Sequence, residues 1–329
     1  MTGGHDFSAP HASAASSTTL GAADLVGAVA PSPPSGWRRL VHRFSGGRVN
    51  PGESATQVTD RRNLDRIRTP LRGDYRIAVL SLKGGVGKTT TTVALGGMFA
   101  SLRGDRVIAV DANPDLGTLA RRIEDADGTP TVRDLLSIPD ATRYPQVKAC
   151  TSQASSRLEV IGSDPDPAVS DAFGEDDYRR TVDILQHHYN IILTDCGTGL
   201  MHSAMAGVLD LAHTLVLVTS PALDGARSAE ATLDWLEAHG HGALAANAVV
   251  VVSGARPGQA TVDPVVLTEH FAARTRAVCT VPFDRHLSEG AVVDLDRLQP
   301  TTVAAYRELA ATVAEDFGSW HRHAATEPV

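Results

Sequence analysis

A chain of 329 residues, 42% apolar and 5% aromatic, has room for one large α/β domain plus an extension, with a core of alanine, valine and leucine. Its three cysteines, Cys150, Cys196 and Cys279, are far apart and form no CxxC pair, which excludes a disulfide framework and fits a reducing cytosol; no run of about 18 apolar residues marks a membrane span, and the N-terminus lacks the basic segment of a signal peptide. The net charge of −8 is uneven: residues 1–74 carry nine arginines against six acids, so residues 75–329 hold −11, which argues against a large DNA-binding face on the body.

Residues 1–36 are rich in Ala, Ser, Gly, Thr and Pro and predict a disordered tail. Residues 37–74 read as a basic, partly helical extension. Within it Trp37, Leu40, Val41 and Phe44 share one helical face while Arg38, Arg39, His42 and Arg43 share the other. Such a helix can lie on an anionic membrane surface, dock on a partner, or pack on the acidic body of its own chain. Asp60 to Arg72 predicts a second helix, stopped around Pro70. The globular body is expected over 75–321, with a short tail over 322–329.

The body opens with an apolar run, Ile77 to Leu82, suited to a strand buried on both faces. Lys83-Gly84-Gly85-Val86-Gly87-Lys88-Thr89-Thr90 follows, and then a helix with Val93, Leu95, Met98, Phe99 and Leu102 on its apolar side. Strand, glycine turn and helix make a phosphate site: the backbone amides curl round an anion at a helix N-terminus. Lys88 would reach the β- and γ-phosphates of ATP, and the Thr89 hydroxyl would ligate Mg²⁺. The ordinary pattern asks for glycine five residues before Gly87, where this chain has Leu82, and adds a second lysine, Lys83.

Two later strands end in an acid. Arg106 to Asp111 runs into Ala112-Asn113-Pro114-Asp115, and Asn190 to Asp195 runs into Cys196-Gly197-Thr198-Gly199. An acid at the C-terminal end of a parallel strand beside a phosphate loop faces the metal–phosphate crevice, so Asp111 and Asp195 join Thr89 as metal candidates. Leu158–Ile161, His213–Thr219, Ala248–Ser253 and Val278–Pro282 predict further strands. Asp171–Gln186, Arg227–His239 and Thr301–Trp320 predict helices. The last of these bears Glu308, Glu315 and Asp316, and reads as a cap on the core rather than a basic membrane helix. Alternating strands and helices imply an α/β fold: a doubly wound, mostly parallel sheet with helices on both faces.

The KGGVGKT segment resembles the deviant Walker A motif of the MinD/ParA ATPases, and the likeness extends over residues 75–320. It implies an ATPase with ATP and Mg²⁺ as cofactors, low basal hydrolysis and ATP-dependent homodimerisation. In it Lys83 crosses to the partner's nucleotide, since Lys83 has no task in one chain that Lys88 does not perform. It places Asn113 where the family holds the attacking water with an aspartate. An asparagine there can orient a water but not take its proton. The resemblance further implies Asp195 as a Mg²⁺-binding residue, and Ser253, Pro282 and Phe283 beside the base, Ser253 standing where the family often has asparagine. Relatives of nitrogenase iron protein carry clusters near Cys196, but this chain lacks the suitably spaced pair of cysteines, and Cys196 reads as a buried filler.

The phrases GWRRLVHRFSGGRVNPG, VDANPDLGTLA and TDCGTGLMHSAM resemble the MinD-like ATPases that accompany type VII secretion in actinobacteria, the EspI-like group. That implies a cytoplasmic switch, extending to the cytoplasmic face of the plasma membrane, which regulates or positions a membrane secretion machine through protein partners. A ParA-like partitioning ATPase that coats DNA, and an ATP-binding scaffold that barely hydrolyses, remain the alternatives.

Overall fold

The computed structural model describes residues 54–318, apart from 114–116, 124–127, 167–169, 171 and 257–259. The expected helix at Trp37–Phe44, both tails and Trp320 lie outside the described residues. Helix α1 (Ala55–Ile67) stops just before Pro70, whose ring disfavours helical backbone at the residue before it. The buried Arg103 guanidinium donates to the carbonyls of Ile67 and Thr69, the latter at 2.9 Å, and so satisfies the helix end from outside.

The body then alternates as expected. Strand β1 (Tyr75–Leu80) leads through the glycine loop into α2 (Lys88–Leu102), and β2 (Val107–Ala112) follows. Short helices α3 (Val132–Leu136) and α4 (Tyr144–Lys148) precede β3 (Ser152–Gln153) and β4 (Glu159–Ile161). Next come α5 (Glu175–Leu185), β5 (Ile191–Cys196), α6 (Ser203–Leu211), β6 (Thr214–Thr219), α7 (Leu223–Ala238) and α8 (Gly242–Ala246). The chain closes with β7 (Val249–Ser253), α9 (Pro264–Ala272), β8 (Ala277–Val281), α10 (Arg285–Ser288) and α11 (Pro300–Ala314).

Among the described residues the strands form one eight-stranded sheet in the order β3-β4-β2-β5-β1-β6-β7-β8. Every pairing is parallel except that of the two-residue edge strand β3, which runs antiparallel to β4 and carries no sequence signal of its own. The central strands are buried along almost their whole length, which is why they read as unbroken apolar runs. Strands before and after β1 leave in opposite directions, so the order reverses beside β1 and β5, and that reversal opens a crevice at their C-terminal ends.

One face of the sheet buries Leu95 and Phe99 of α2 against Tyr306, Leu309 and Val313 of α11, with Phe317 just beyond. The other buries Tyr178, Val182, Leu233 and Phe271 from α5, α7 and α9. The amphipathic reading of α2 needs correction. It is buried on all sides, Thr91, Thr92, Gly96 and Gly97 included, because it lies between the sheet and α11. A Cβ at Gly96 would meet Leu158 Cδ1 at 2.9 Å, so a larger residue here would have to push the Leu158 side chain aside. Helix α11 does cap the core, and its acids are used at the rim: Glu315 pairs with Arg66 at 2.9 Å. Among the described residues no helix is long and apolar enough to cross a membrane.

Candidate nucleotide-binding site

The loop between β1 and α2 is shaped by two glycines in the left-handed region, Gly85 at φ 77° and Gly87 at φ 96°. Val86 between them is buried and anchors the loop, while Ser81 Oγ donates to the Lys83 carbonyl at 3.1 Å. Gly87 is the N-cap of α2 and has no side-chain cap, so the first amides of the helix are left to an anion.

Beneath the loop the side chains converge on Asp195. Lys88 Nζ donates to its Oδ1 at 2.7 Å, Thr89 Oγ1 to its Oδ2 at 2.7 Å, and Thr92 Oγ1 to its Oδ1 at 3.0 Å. Thr92 was not among the sequence candidates; its only signal is its place one turn after Lys88 on the same helix face. Strands β2 and β5 put Asp111 level with Asp195 in register. Burial first, and the Asp195 charge second, raise the Asp111 carboxyl above the ordinary carboxylate range. Its oxygens accept from the amides of Asn113 at 3.1 Å and Leu119 at 3.0 Å, so both carboxylate oxygens are engaged by backbone that follows β2. Gly117 lies so close that a Cβ would sit 2.1 Å from Asp111 Oδ2.

The donor set fits a magnesium ion. One hydroxyl and two carboxylates level in register are hard oxygen donors, and the repulsion between the acids, which the Lys88 ammonium offsets only in part, favours a further cation. Thr89, Asp111 and Asp195 are the residues that would hold it.

The other wall comes from the ends of β7 and β8. Ser253 Oγ would be 3.1 Å from a Cβ on Gly87. The Gly254 amide donates to the Val281 carbonyl at 2.7 Å, and a Cβ on Gly254 would lie 2.4 Å from the Phe283 nitrogen. Only glycine lets the two loops approach so closely, a role hidden in the sequence. Buried Asp284 holds the second loop, accepting from the amides of His286 and Gln299, each at 2.9 Å. A cavity of about 590 Å³ opens between the walls; Lys83 to Thr90, Asn113, Ser253, Pro282 and Phe283 line it. That volume suits a nucleotide. Asp195 sits behind Lys88 and Thr89, whereas Asp111 borders a separate cavity of about 360 Å³ with Val132, Leu136 and Phe173.

Within one chain Lys83 has an exposed partner outside the phosphate loop. Its ammonium pairs with Asp224 in the first turn of α7, and this pairing holds the Asp224 carboxyl below its ordinary range. Cys196 is fully buried, and burial pushes its thiol up to about 12, so it behaves as a small apolar filler.

Residues 77–325 match the model of the CobQ/CobB/MinD/ParA nucleotide binding domain. The chain belongs to that family. Among curated MinD/ParA relatives, it is 37% identical over 284 residues to the ESX-1 secretion-associated protein EspI of Mycobacterium tuberculosis. That alignment covers 86% of this chain but 42% of EspI, so the chain spans about two-fifths of that relative's length. Its fold is also that of the Chlorobium tepidum ParA family ATPase, with a TM-score of 0.61 at 18% identity over 72% of this chain and 98% of the other. The Pyrococcus horikoshii septum site-determining protein MinD, solved with Mg-ADP, gives 0.57 at 20% identity over 72% and 94%.

Proposed function

We propose that this MinD/ParA-family protein binds ATP·Mg²⁺ in the Lys83–Thr90 loop and hydrolyses it slowly, acting as an ATP-dependent dimerising switch. The observation that carries this reading is the convergence of Lys88, Thr89 and Thr92 on Asp195 beneath a glycine loop with an uncapped helix behind it. Lys88 is poised to exchange a carboxylate for a phosphate oxygen, and Thr89 a carboxylate for a metal ion. A magnesium ion held by Thr89, Asp111 and Asp195 would supply charge neutralisation for the phosphates. The chain's own residues do the rest: the loop amides orient the phosphates, Asn113 orients a water, and Lys83 reaches toward the nucleotide of a second copy.

The likeness to EspI supports a role in regulating or positioning a membrane-associated secretion machine of the type VII class, from the cytoplasm or its membrane face. Asn113 favours a second reading, an ATP-binding scaffold with little turnover, because no carboxylate stands at that position. Titration calorimetry of the full chain with ATP·Mg²⁺ tests the central assignment. Lys88→Ala should abolish heat of binding, and unchanged affinity would overturn it.

A further inference from the structure

Arg122 belongs to none of the motifs, yet it faces the same cavity as the phosphate loop. It ends the single turn Ala120–Arg122, which directly follows Leu119, whose amide donates to Asp111. From there it reaches a remote part of the chain in two ways. Its carbonyl accepts from the Val293 amide at 2.7 Å, and its Nη1 donates to the Ala291 carbonyl at 3.4 Å. Gly290, at φ 72°, lies alongside, with a hypothetical Cβ 3.7 Å from Nη1. The side chain thus bridges the turn after β2 and the segment after α10, both of which border the cavity.

Its charge is underused. Lys83 answers Asp224 and Lys88 answers Asp195, whereas among the described residues Arg122 has no carboxylate at ion-pair distance. It makes one long hydrogen bond from a fork of five donors. The guanidinium is half-buried, which disfavours its charge, and the field of Asp195 offsets only part of that. A half-buried arginine with spare donors on the wall of a phosphate cavity has the chemistry to take a polyphosphate bidentately.

We propose that Arg122 is a phosphate-contacting residue of the nucleotide site, supplied by the turn after β2 and held in place by the Gly290–Val293 segment. The inference rests on the nucleotide reading above and adds a cation that no sequence motif announces.

Competition binding with a fluorescent ATP analogue tests it in the full chain, using unlabelled ATP and inorganic tripolyphosphate as competitors. Hydrogen bonds to charged groups imply that Arg122→Ala raises the half-displacing concentration of both competitors about tenfold to a hundredfold. Arg122→Lys should retain part of the affinity, and its unchanged melting temperature would show that the fold is intact. If ATP weakens while tripolyphosphate does not, Arg122 merely positions the Gly290–Val293 loop and the proposal falls. Equal affinity of wild type and Arg122→Ala for both competitors also overturns it. Lys88→Ala separates the two levels. If it binds as wild type, the nucleotide reading itself fails; if it loses binding while Arg122→Ala keeps it, only this inference fails.

Discussion

Lys83 of the phosphate loop and Asp224 of α7 form an ion pair that joins the start of the loop to the neighbouring helix. Both side chains are substantially exposed, at 38% and 66%, so the pair is weak and easily exchanged. It gives Lys83 a resting place in one chain, and under the proposed dimerising switch Lys83 leaves it to reach the nucleotide of a second copy. Asp224→Ala should therefore raise the ATP-dependent dimer fraction, by a few-fold at most, and Lys83→Ala should eliminate the dimer. Light scattering on a sizing column with a slowly hydrolysed ATP analogue reads both. A dimer fraction that falls in Asp224→Ala would mean that the acid belongs to the dimer contact instead.

Asp195 differs from Asp224 in being buried, and three donors depend on it. Lys88 beside it has a side chain only 9% exposed. Removing one partner of a buried pair costs about 3 kcal/mol. Asp195→Ala should lower the melting temperature of the nucleotide-free chain by several degrees, while Asp224→Ala leaves it in place. Thermal unfolding followed by circular dichroism checks the contrast.

Asn113 borders both the nucleotide cavity and the smaller one beyond Asp111. Without a carboxylate there, basal hydrolysis should stay below about one turnover per minute. Asn113→Asp would add an acid beside Asp111, whose Oδ1 already accepts from the Asn113 amide. The expected gain in rate is less than about tenfold, with half-saturation at a lower magnesium concentration, since the general-base gain is offset by repulsion between acids that a cation relieves. Phosphate release assayed across magnesium concentrations measures both; a large loss of activity would show that the amide itself is needed.

Gly254→Ala forces a methyl group to within 2.4 Å of the Phe283 nitrogen, and backbone cannot yield as a flexible side chain can. The β7 and β8 loops must separate, and the wall formed by Ser253, Pro282 and Phe283 moves. With Ser253, Pro282 and Phe283 flanking the base, as the family resemblance implies, affinity for ATP should fall at least about tenfold and that for tripolyphosphate by less. Calorimetry with both ligands decides it.

His213 supplies a pH test far from the site. Its Nδ1 accepts from the Arg76 amide at 3.0 Å, so this nitrogen must stay unprotonated. Burial, and next Arg76, push the imidazole down to about 4, against the opposing pull of Asp74 and Asp316. Its ring packs on Tyr75, 5.3 Å between centroids. The unfolded chain binds the proton more readily, near pH 6.5, so this contribution to stability is present above that value and is lost as pH falls toward 4. His213→Gln should flatten that part of the stability–pH profile measured by denaturant unfolding.

Much of this architecture is legible in the chain because its signals are local. The apolar runs of β1, β2, β5 and β6 stay unbroken since both faces are covered, and Gly85, Gly87, Lys88 and Thr89 are neighbours whose spacing alone builds an anion site. An acid ending each of two strands was enough to mark Asp111 and Asp195, since parallel register then sets them side by side. What only the tertiary structure decided are relationships between residues distant in sequence. The partner of Lys83 lies on α7, the cap on α1 is Arg103, the closeness of Gly254 to Phe283 depends on how β7 and β8 end together, and Arg122 meets Ala291 across the cavity. Nothing in local spacing encodes these distances, because they arise when the packing of helices on a twisted sheet brings separate loops to one edge.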